Sequence, residues 1–371
     1  MSRMIWPMLG LACGLIAIQD PATGAVADNA PDKKEFTAVI GKAKEFLKTV
    51  QGPDGSFAPK FGGPGITSII VAGLIRSGYE DDPIVTKALA YLEKAVQPDG
   101  GIYQKQLQNY TTCLGIMAFQ DANDKGKYKT IIANASKYLK SLQAPGEPDD
   151  PKSGGVGYGD GKKDRPDLSN THYFVEALIA SGVPKDDPAI TRALLFVGRC
   201  QNLPGESNSL PYAKKTSDGD RGGFVYNPTS EPGPNNPKST PMGGLRSEGG
   251  MTYAGLKSFL FAGVAKDDPR VRAAVKWVRE HYTLDENPGQ KDSGLFYYYH
   301  TFAKAMDALG EDPFEDAKGV KHYWRKELFE ALKERQNANG SWTNANKDFL
   351  ENLPELSTAF AILSLSYTQK K

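Results

Sequence analysis

The sequence predicts an all-α fold in which six helix pairs close into a ring, an (α/α)6 double barrel or α/α toroid. One turn phrase recurs six times along the chain, and each copy separates an amphipathic helix from a nearly all-apolar one. The chain has 371 residues, 39% of them hydrophobic and 24% charged, with 39 glycines. This composition is typical of a globular protein with many turns between short elements.

The repeated turn joins a Gln, a Gly-containing turn and a large apolar residue. Gln51 to Phe57 is the first copy, and the steps from Gln51 to Gln97 and from Gln97 to Gln143 are 46 residues each. The six turns lie at 51–57, 97–103, 154–158, 222–226, 293–297 and 336–342, the fifth without its Gln. A period of this length, repeated this often, predicts a ring or solenoid of helical repeats.

Each turn is followed by a threonine and an apolar helix, and the helix before each turn is amphipathic. The threonines are Thr67, Thr112, Thr171, Thr252, Thr301 and Thr358, and we expect each to cap its helix. A helix that is apolar all round is a buried one, so each repeat pairs a half-exposed outer helix with a buried inner helix. An open solenoid would leave one face of the inner helices wet, and a closed ring is therefore favoured.

The N-terminus has the pattern of a secretory signal peptide. Arg3 precedes an uncharged apolar stretch from Met4 to Ile18, and Ala25-Val26-Ala27 offers a small-x-small cleavage site. The stretch is roughly 15 residues long, short of the about 20 that span a bilayer. We predict a signal peptide at 1–27, a linker at 28–35 and one toroid domain at 36–371, with a secreted or periplasmic location and no transmembrane segment after cleavage.

The net charge and the cysteine count bear on two questions: whether the protein binds nucleic acid, and whether disulfides hold the fold together. The formal net charge of +1 does not indicate a nucleic-acid partner. After signal removal only Cys113 and Cys200 remain, and we expect buried free thiols rather than a disulfide framework.

The phrase Gln-x-x-Asp-Gly followed by an apolar residue is similar to the QW-type repeat of squalene–hopene and oxidosqualene cyclases. The resemblance covers nearly the whole mature chain and points to the superfamily of terpenoid cyclases and protein prenyltransferases. It implies an α/α toroid whose central cavity acts on or binds an apolar, isoprenoid-type ligand.

Two segments resemble functional motifs of that superfamily, with departures. Asp167-Leu168-Ser169-Asn170-Thr171 lies where class II terpene cyclases carry Asp-x-Asp-Asp-Thr, so Ser169 replaces the Asp that protonates the alkene. Residues 296–301 resemble the Tyr-His-Thr segment that carries a zinc-ligating His in prenyltransferase β subunits. The stretch 250–253 lacks the accompanying Asp-x-Cys pair, and one His cannot hold a catalytic zinc. We predict neither a metal nor a cofactor.

A closed ring brings the N-termini of the inner helices to one mouth, where their partial positive charges favour an anion. Asp167 and Glu248 are the best acid or base candidates there, with His300 as a third catalytic candidate. The competing interpretation is that the two carboxylates only cap helices and that His300 has a structural role. The candidate substrate-binding residues are His172, Asn170, Tyr110, Tyr253, Tyr297, Tyr298, Tyr299 and Trp342. Their aromatic rings suit carbocations or sugars, or simply fill the core.

A Pro- and Gly-rich insert at about 203–249 interrupts the repeat and is expected either to cover the mouth or to form a surface loop. Three functions stay open: a cyclase- or prenyltransferase-like protein with an apolar ligand, an α/α-barrel carbohydrate lyase or hydrolase, and a non-catalytic binding or scaffold protein. An apolar cavity would favour the first, paired carboxylates in a groove the second, and a plugged mouth the third.

Overall fold

A computed structural model describes residues 30–147, 149–159 and 165–369, so the predicted signal peptide lies outside the described residues. The outer helices are α1 (Lys33–Val50), α4 (Pro83–Lys94), α6 (Lys129–Leu142), α8 (Pro188–Arg199), α10 (Pro269–Glu280) and α12 (Trp324–Glu334). The inner helices are α3 (Pro64–Arg76), α5 (Gln108–Asp121), α7 (Leu168–Ala180), α9 (Gly249–Phe261), α11 (Leu295–Leu309) and α13 (Pro354–Leu365). A short α2 (Pro59–Gly62) and a small antiparallel hairpin, β1 (Phe314–Glu315) with β2 (Lys321–His322), complete the described structure.

The inner helices form a closed ring. Each packs against the next along the chain, and the last, α13, packs against the first, α3. Residues 64–74 of α3 are all buried, as expected for a helix that is apolar on nearly every side. The predicted all-α toroid is therefore confirmed. Among the described residues, no helix combines the length and apolarity needed to cross a membrane.

Four of the five repeated glutamines connect neighbouring repeats. The side-chain amide of Gln336 donates to the carbonyl of Gly340 in its own turn and to the carbonyl of Val39 in α1, both at 3.0 Å. Gln51, Gln143 and Gln201 make the equivalent bond to Ile84, Ala189 and Arg270 at the start of the following outer helix. The same bond thus joins three pairs of consecutive repeats and, through Gln336, the last repeat to the first, whereas Gln97 donates to Ala95 and Tyr103 within its own repeat.

The repeated threonines are not helix caps, and that expectation was wrong. Each inner helix begins upstream of its threonine, so the hydroxyl lies inside the helix. There it accepts the backbone N–H of the apolar turn residue: Thr67 from Phe57 at 3.0 Å, and Thr358 from Trp342 at 3.1 Å. Thr112, Thr171 and Thr252 do the same in their own repeats. The threonine therefore holds the turn against the inner helix.

Two smaller expectations, on the cysteines and on the insert, agree with the described residues. Cys113 and Cys200 are both free and buried, and burial raises the pKa of each thiol well above its usual range. The insert folds as irregular chain with two short 3-10 turns at 213–215 and 218–220. It contributes side chains to the N-terminal end of the ring.

Candidate functional site

A cavity of about 480 Å³ lies at the N-terminal end of the ring, within the range of roughly 300–1,000 Å³ usual for small-molecule sites. The first turns of the inner helices form its floor: Gly65, Ile66, Ile69, Tyr110, Ser169, Tyr297, Leu356 and Phe360. Connecting segments and the insert form its rim: Phe61, Gly62, Leu107, Tyr158, Tyr226, Lys238, Phe349 and Leu350. The N-termini of five inner helices, all but that of α9, therefore share one mouth.

The cavity wall is largely apolar and aromatic. Aliphatic side chains, phenylalanines and tyrosine rings make up most of it, and the polar atoms come from tyrosine hydroxyls, Ser169 and Lys238. Among its lining residues in the described part of the chain, Lys238 alone is charged, and none is a carboxylate. A wall of this composition favours an apolar ligand with few polar atoms.

Glu248, a predicted catalytic residue, lies behind the cavity wall. Its carboxylate is buried and accepts from the Lys238 ammonium at 2.6 Å. Lys238 in turn lies over the ring of Tyr226, 5.4 Å from its centre. Glu248 therefore neutralises the lysine of the rim and does not face the cavity itself.

Asp167, the second predicted carboxylate, caps α7. It accepts from the backbone N–H of Asn170 at 2.8 Å and from the side-chain amide of the same residue at 2.9 Å. Asp167 also lies close to Tyr226 of the rim. The pKa of the Tyr226 hydroxyl is raised well above its usual range, mainly by burial and secondly by the negative charge of Asp167. Asn170 is buried between Asp167 and Asn109. Neither Asp167 nor Asn170 lines the cavity, whereas Ser169 between them does.

A chain of buried hydrogen bonds runs from the cavity floor into the ring. Tyr297 Oη lies 3.0 Å from Ser169 Oγ and 2.7 Å from Nε2 of His172. Nδ1 of His172 lies 2.9 Å from Nζ of Lys257. His172 was predicted to face the mouth. It lies one helical turn below Ser169 on α7 and supports Tyr297 from beneath.

The chain ends in two lysines that share one carboxylate. Lys257 and Lys304 each donate to Glu176 at 2.5 Å, one to each carboxylate oxygen. Their side chains are 0% and 1% exposed, and that of Glu176 is 6% exposed. We call Tyr297, His172, Lys257, Glu176 and Lys304 the axial chain.

Burial sets the protonation states of the axial chain. It lowers the pKa of His172 well below its usual range, with Lys257 adding to the effect, so this imidazole is neutral. Burial alone would raise the pKa of Glu176, but the two lysines outweigh it and keep the carboxylate ionised. Burial lowers the pKa of Lys257, and that of Lys304 to about 7. Burial raises the pKa of Tyr297 well above its usual range, so its hydroxyl keeps its proton.

His300, the third predicted catalytic residue, is fully buried one helical turn below Tyr297. Its ring lies 5.8 Å from that of Tyr173 and 5.5 Å from that of Phe360. Neither ring nitrogen has a hydrogen-bond partner among the described residues. Burial lowers its pKa well below the usual range, so it is neutral.

The predicted aromatic residues divide into two groups. Tyr110 and Tyr297 line the cavity. Four others pack elsewhere: Tyr253, Tyr298, Tyr299 and Trp342. Tyr298 and Trp342, for example, donate to backbone carbonyls of Thr283 and Leu332, both at 2.7 Å. These four pack within the double barrel and do not line the cavity.

Sequence reasoning missed Glu176, Lys257 and Lys304, and it missed Tyr226 and Lys238 of the insert. The first three had a readable signal, because Glu176 and Lys257 are the lone charges of α7 and α9 and Lys304 lies in the middle of the largely apolar α11. Lone charges in buried helices need a partner. Where the structure is described, no group of three His, Cys, Asp or Glu side chains lies close enough to hold a metal ion.

Comparison with known proteins identifies relatives by fold alone. The sequence matches no protein-family model and no curated protein. A type II terpene cyclase from Scytonema superposes with a TM-score of 0.51 at 12% identity, over 91% of this chain and 100% of that one. An inactive variant of an α-1,6-mannanase of Salegentibacter, in complex with α-1,6-mannotriose, gives 0.59 at 11% identity, over 91% and 100%. Protein geranylgeranyltransferase-I of Candida albicans, in complex with GGPP, gives 0.50 at 13% identity, over 89% and 90%.

These similarities span isoprenoid enzymes and carbohydrate enzymes of the same architecture. At 11–13% identity they carry the fold and not an activity. The chain has the α/α-toroid fold that terpene cyclases, protein prenyltransferases and several glycoside-processing enzymes share.

Proposed function

We propose that this protein binds a small apolar molecule of isoprenoid type in the cavity at the mouth of the ring. The composition of the cavity wall carries the proposal, because aliphatic and aromatic side chains dominate it and no carboxylate lines it in the described part of the chain. Burying an apolar chain against such a wall contributes about 25 cal/mol for each Å² removed from water.

The proposed role is binding rather than alkene protonation. Ser169 stands at the position of the proton-donating Asp in the motif of class II cyclases, and it lines the cavity. A serine hydroxyl is far too weak an acid for that step. Asp167 and Glu248 are engaged as a helix cap and in an ion pair. The terpene cyclase and the prenyltransferase with bound GGPP support an apolar ligand by architecture only.

A carbohydrate enzyme is the alternative, and the mannanase complex supports it to the same degree by architecture. Tyrosine rings on the floor and rim also suit sugar faces. Glycoside hydrolysis normally uses two carboxyl groups about 5–9.5 Å apart across the bound sugar. The lining described above supplies none, so the site's own chemistry favours the apolar ligand.

A binding titration separates the two classes. Purified protein is first analysed by native mass spectrometry for retained lipid or sugar, then titrated with farnesol and with mannotriose while intrinsic fluorescence is recorded. We expect farnesol to bind and mannotriose not to bind. Leu356→Trp places a large side chain in the cavity and should abolish farnesol binding. Leu195→Trp makes the same exchange on the exposed face of α8, where Leu195 is 52% exposed, and should leave binding intact.

Two results would overturn the proposal. Binding of mannotriose without farnesol would favour the carbohydrate class. Absence of binding by both, or farnesol binding that survives Leu356→Trp, would show that this cavity is not an apolar ligand site.

Export is part of the proposal. The signal-like pattern at 1–27 supports a secreted or periplasmic protein. N-terminal sequencing of the protein from the periplasm of a bacterial host should begin at Asp28. A cytoplasmic product that retains Met1 would contradict export.

A further inference from the structure

We propose that the bound molecule ends in an acceptor oxygen, preferentially a carboxylate, and that the Tyr297 hydroxyl binds this end at the cavity floor. The inference rests on the proposed function, since it concerns which apolar molecule the cavity takes. It assigns the ligand class as an isoprenoid or fatty carboxylate, held by Tyr297 with Ser169 beside it.

The direction of the hydrogen bonds in the axial chain supports this. An ammonium group has donors only, so Nδ1 of His172 accepts from Lys257 at 2.9 Å. A neutral imidazole then carries its proton on the other nitrogen, and Nε2 donates to Tyr297 Oη at 2.7 Å. The Tyr297 proton consequently points away from His172, toward Ser169 and the cavity. Whichever of Tyr297 and Ser169 donates to the other at 3.0 Å, one hydroxyl proton of the pair is left over, so the floor of the cavity offers a donor to the ligand.

The charge of the axial chain supports a negative acceptor. Two lysines face the single carboxylate of Glu176 at 2.5 Å each, so one positive charge is left over inside the ring when both are protonated. The other neighbours of Lys304 do not compensate it: Met117 Sδ lies 3.8 Å away, and the nearby His300 is neutral. Arg76 is already paired with Asp121 at 2.7 Å. In a low-dielectric interior an unbalanced charge attracts an anion strongly.

Helix dipoles do not explain the preference. The N-termini of α7 and α11 reach the floor, but each has its own acidic partner. Asp167 caps α7, and Glu351 accepts from the backbone N–H of Tyr297 in α11 at 2.8 Å. Both side chains thus occupy backbone N–H groups that a ligand would otherwise contact at these helix N-termini. The attraction for an anion therefore comes from the axial chain through His172 and Tyr297.

The test compares two ligands that share a carbon skeleton, geranic acid and geraniol, by calorimetric titration at pH 6, where a carboxylic acid is ionised and Lys304, with its pKa of about 7, keeps its proton. We expect the acid to bind at least tenfold more tightly than the alcohol. Tyr297→Phe removes the donor and should reduce this ratio to about one. Lys304→Met keeps the Glu176–Lys257 pair and removes the surplus charge, so it should also reduce the ratio severalfold.

A matched control guards against a general packing effect. Tyr298→Phe removes a buried hydroxyl that donates to a backbone carbonyl at 2.7 Å outside the cavity, and it should leave the ratio unchanged. Circular dichroism and a melting curve confirm that each variant folds. If Tyr297→Phe does not fold, Lys304→Met decides the matter.

The outcomes separate this inference from the proposed function. Equal binding of acid and alcohol by the unaltered protein would overturn the acceptor-end inference and leave the apolar site standing. A preference for the acid that survives both Tyr297→Phe and Lys304→Met would overturn the role of the axial chain. Failure of both ligands to bind, together with farnesol, would remove the proposed function itself.

Discussion

Glu176→Gln is the most informative perturbation of the ring interior. It keeps the size of the side chain but removes the charge that Lys257 and Lys304 share, each at 2.5 Å. All three side chains are almost completely buried, with at most 6% of any one exposed. Because solvent cannot replace the lost carboxylate, the two lysines would be left as unpaired charges in the core.

The magnitude follows from two limits. Two unit charges 4 Å apart attract by about 4 kcal/mol at an effective dielectric constant of 20. A buried lysine avoids an unpaired charge by losing its proton, which costs about 5 kcal/mol at pH 7 for an ordinary lysine pKa. Burial already lowers the pKa of Lys304 to about 7, so Lys304 loses its proton at little cost. Most of the lost stability then comes from the unpaired charge of Lys257. We expect the free energy of unfolding to fall by about 3–5 kcal/mol, as for other broken buried pairs.

Urea unfolding followed by circular dichroism at pH 7 and pH 9 measures this loss. A lysine whose pKa is lowered in the folded state holds fewer protons there than in the unfolded chain, so stability rises with pH in this window. The deficit of Glu176→Gln should therefore shrink at pH 9. Lys304→Met is the reference variant, since it leaves Glu176 paired with Lys257 and should change stability little or raise it. A loss below about 1 kcal/mol for Glu176→Gln at pH 7 would refute the assigned charges.

Three further predictions concern the rest of the ring. Gly340→Ala should lower the free energy of unfolding by about 2 kcal/mol or more, because Gly340 has φ +90° and a Cβ there would lie 2.2 Å from a backbone carbonyl oxygen. Gly41 in α1 has open space around it, so Gly41→Ala should be neutral or stabilising by up to about 1 kcal/mol. Equal effects of the two substitutions in urea unfolding would contradict this. Burial raises the pKa of Glu351 to about 7, so this group stabilises the fold at low pH and the contribution is lost as pH rises toward and through 7. The melting temperature of Glu351→Gln should therefore rise relative to that of the unaltered protein between pH 5 and pH 8. A relative fall over this range would contradict the prediction. Cys113 and Cys200 are buried and should react with a thiol reagent only after unfolding in urea, so rapid labelling of the native protein would show that the core opens.

The fold was predictable because each part of the repeat has a structural task that sequence spacing reveals. Gln336 and its counterparts bind the next repeat, and the turn glycines occupy backbone conformations with positive φ. The role of the threonines was not predictable, since a cap and a residue inside the first turn differ only by where the helix begins. Helix boundaries depend on φ and ψ values that a sequence pattern does not resolve.

The site was only partly predictable because direction around a helix decides it. Tyr297, Tyr298 and Tyr299 are consecutive, and successive residues of an α-helix point about 100° apart. Only Tyr297 faces the cavity, while the other two bind carbonyls outside it. Tyr226 and Lys238 come from the irregular insert, which has no periodicity from which an orientation can be inferred.

The bond from Gln336 to the Val39 carbonyl has a consequence for how this protein comes apart. In an open array the terminal repeats have one neighbour each, so they fray first and the array shortens stepwise. Here the first and last repeats are neighbours, and removing any repeat exposes two apolar surfaces at once. Unfolding should therefore be a single cooperative transition, because no repeat has a free side from which fraying could start.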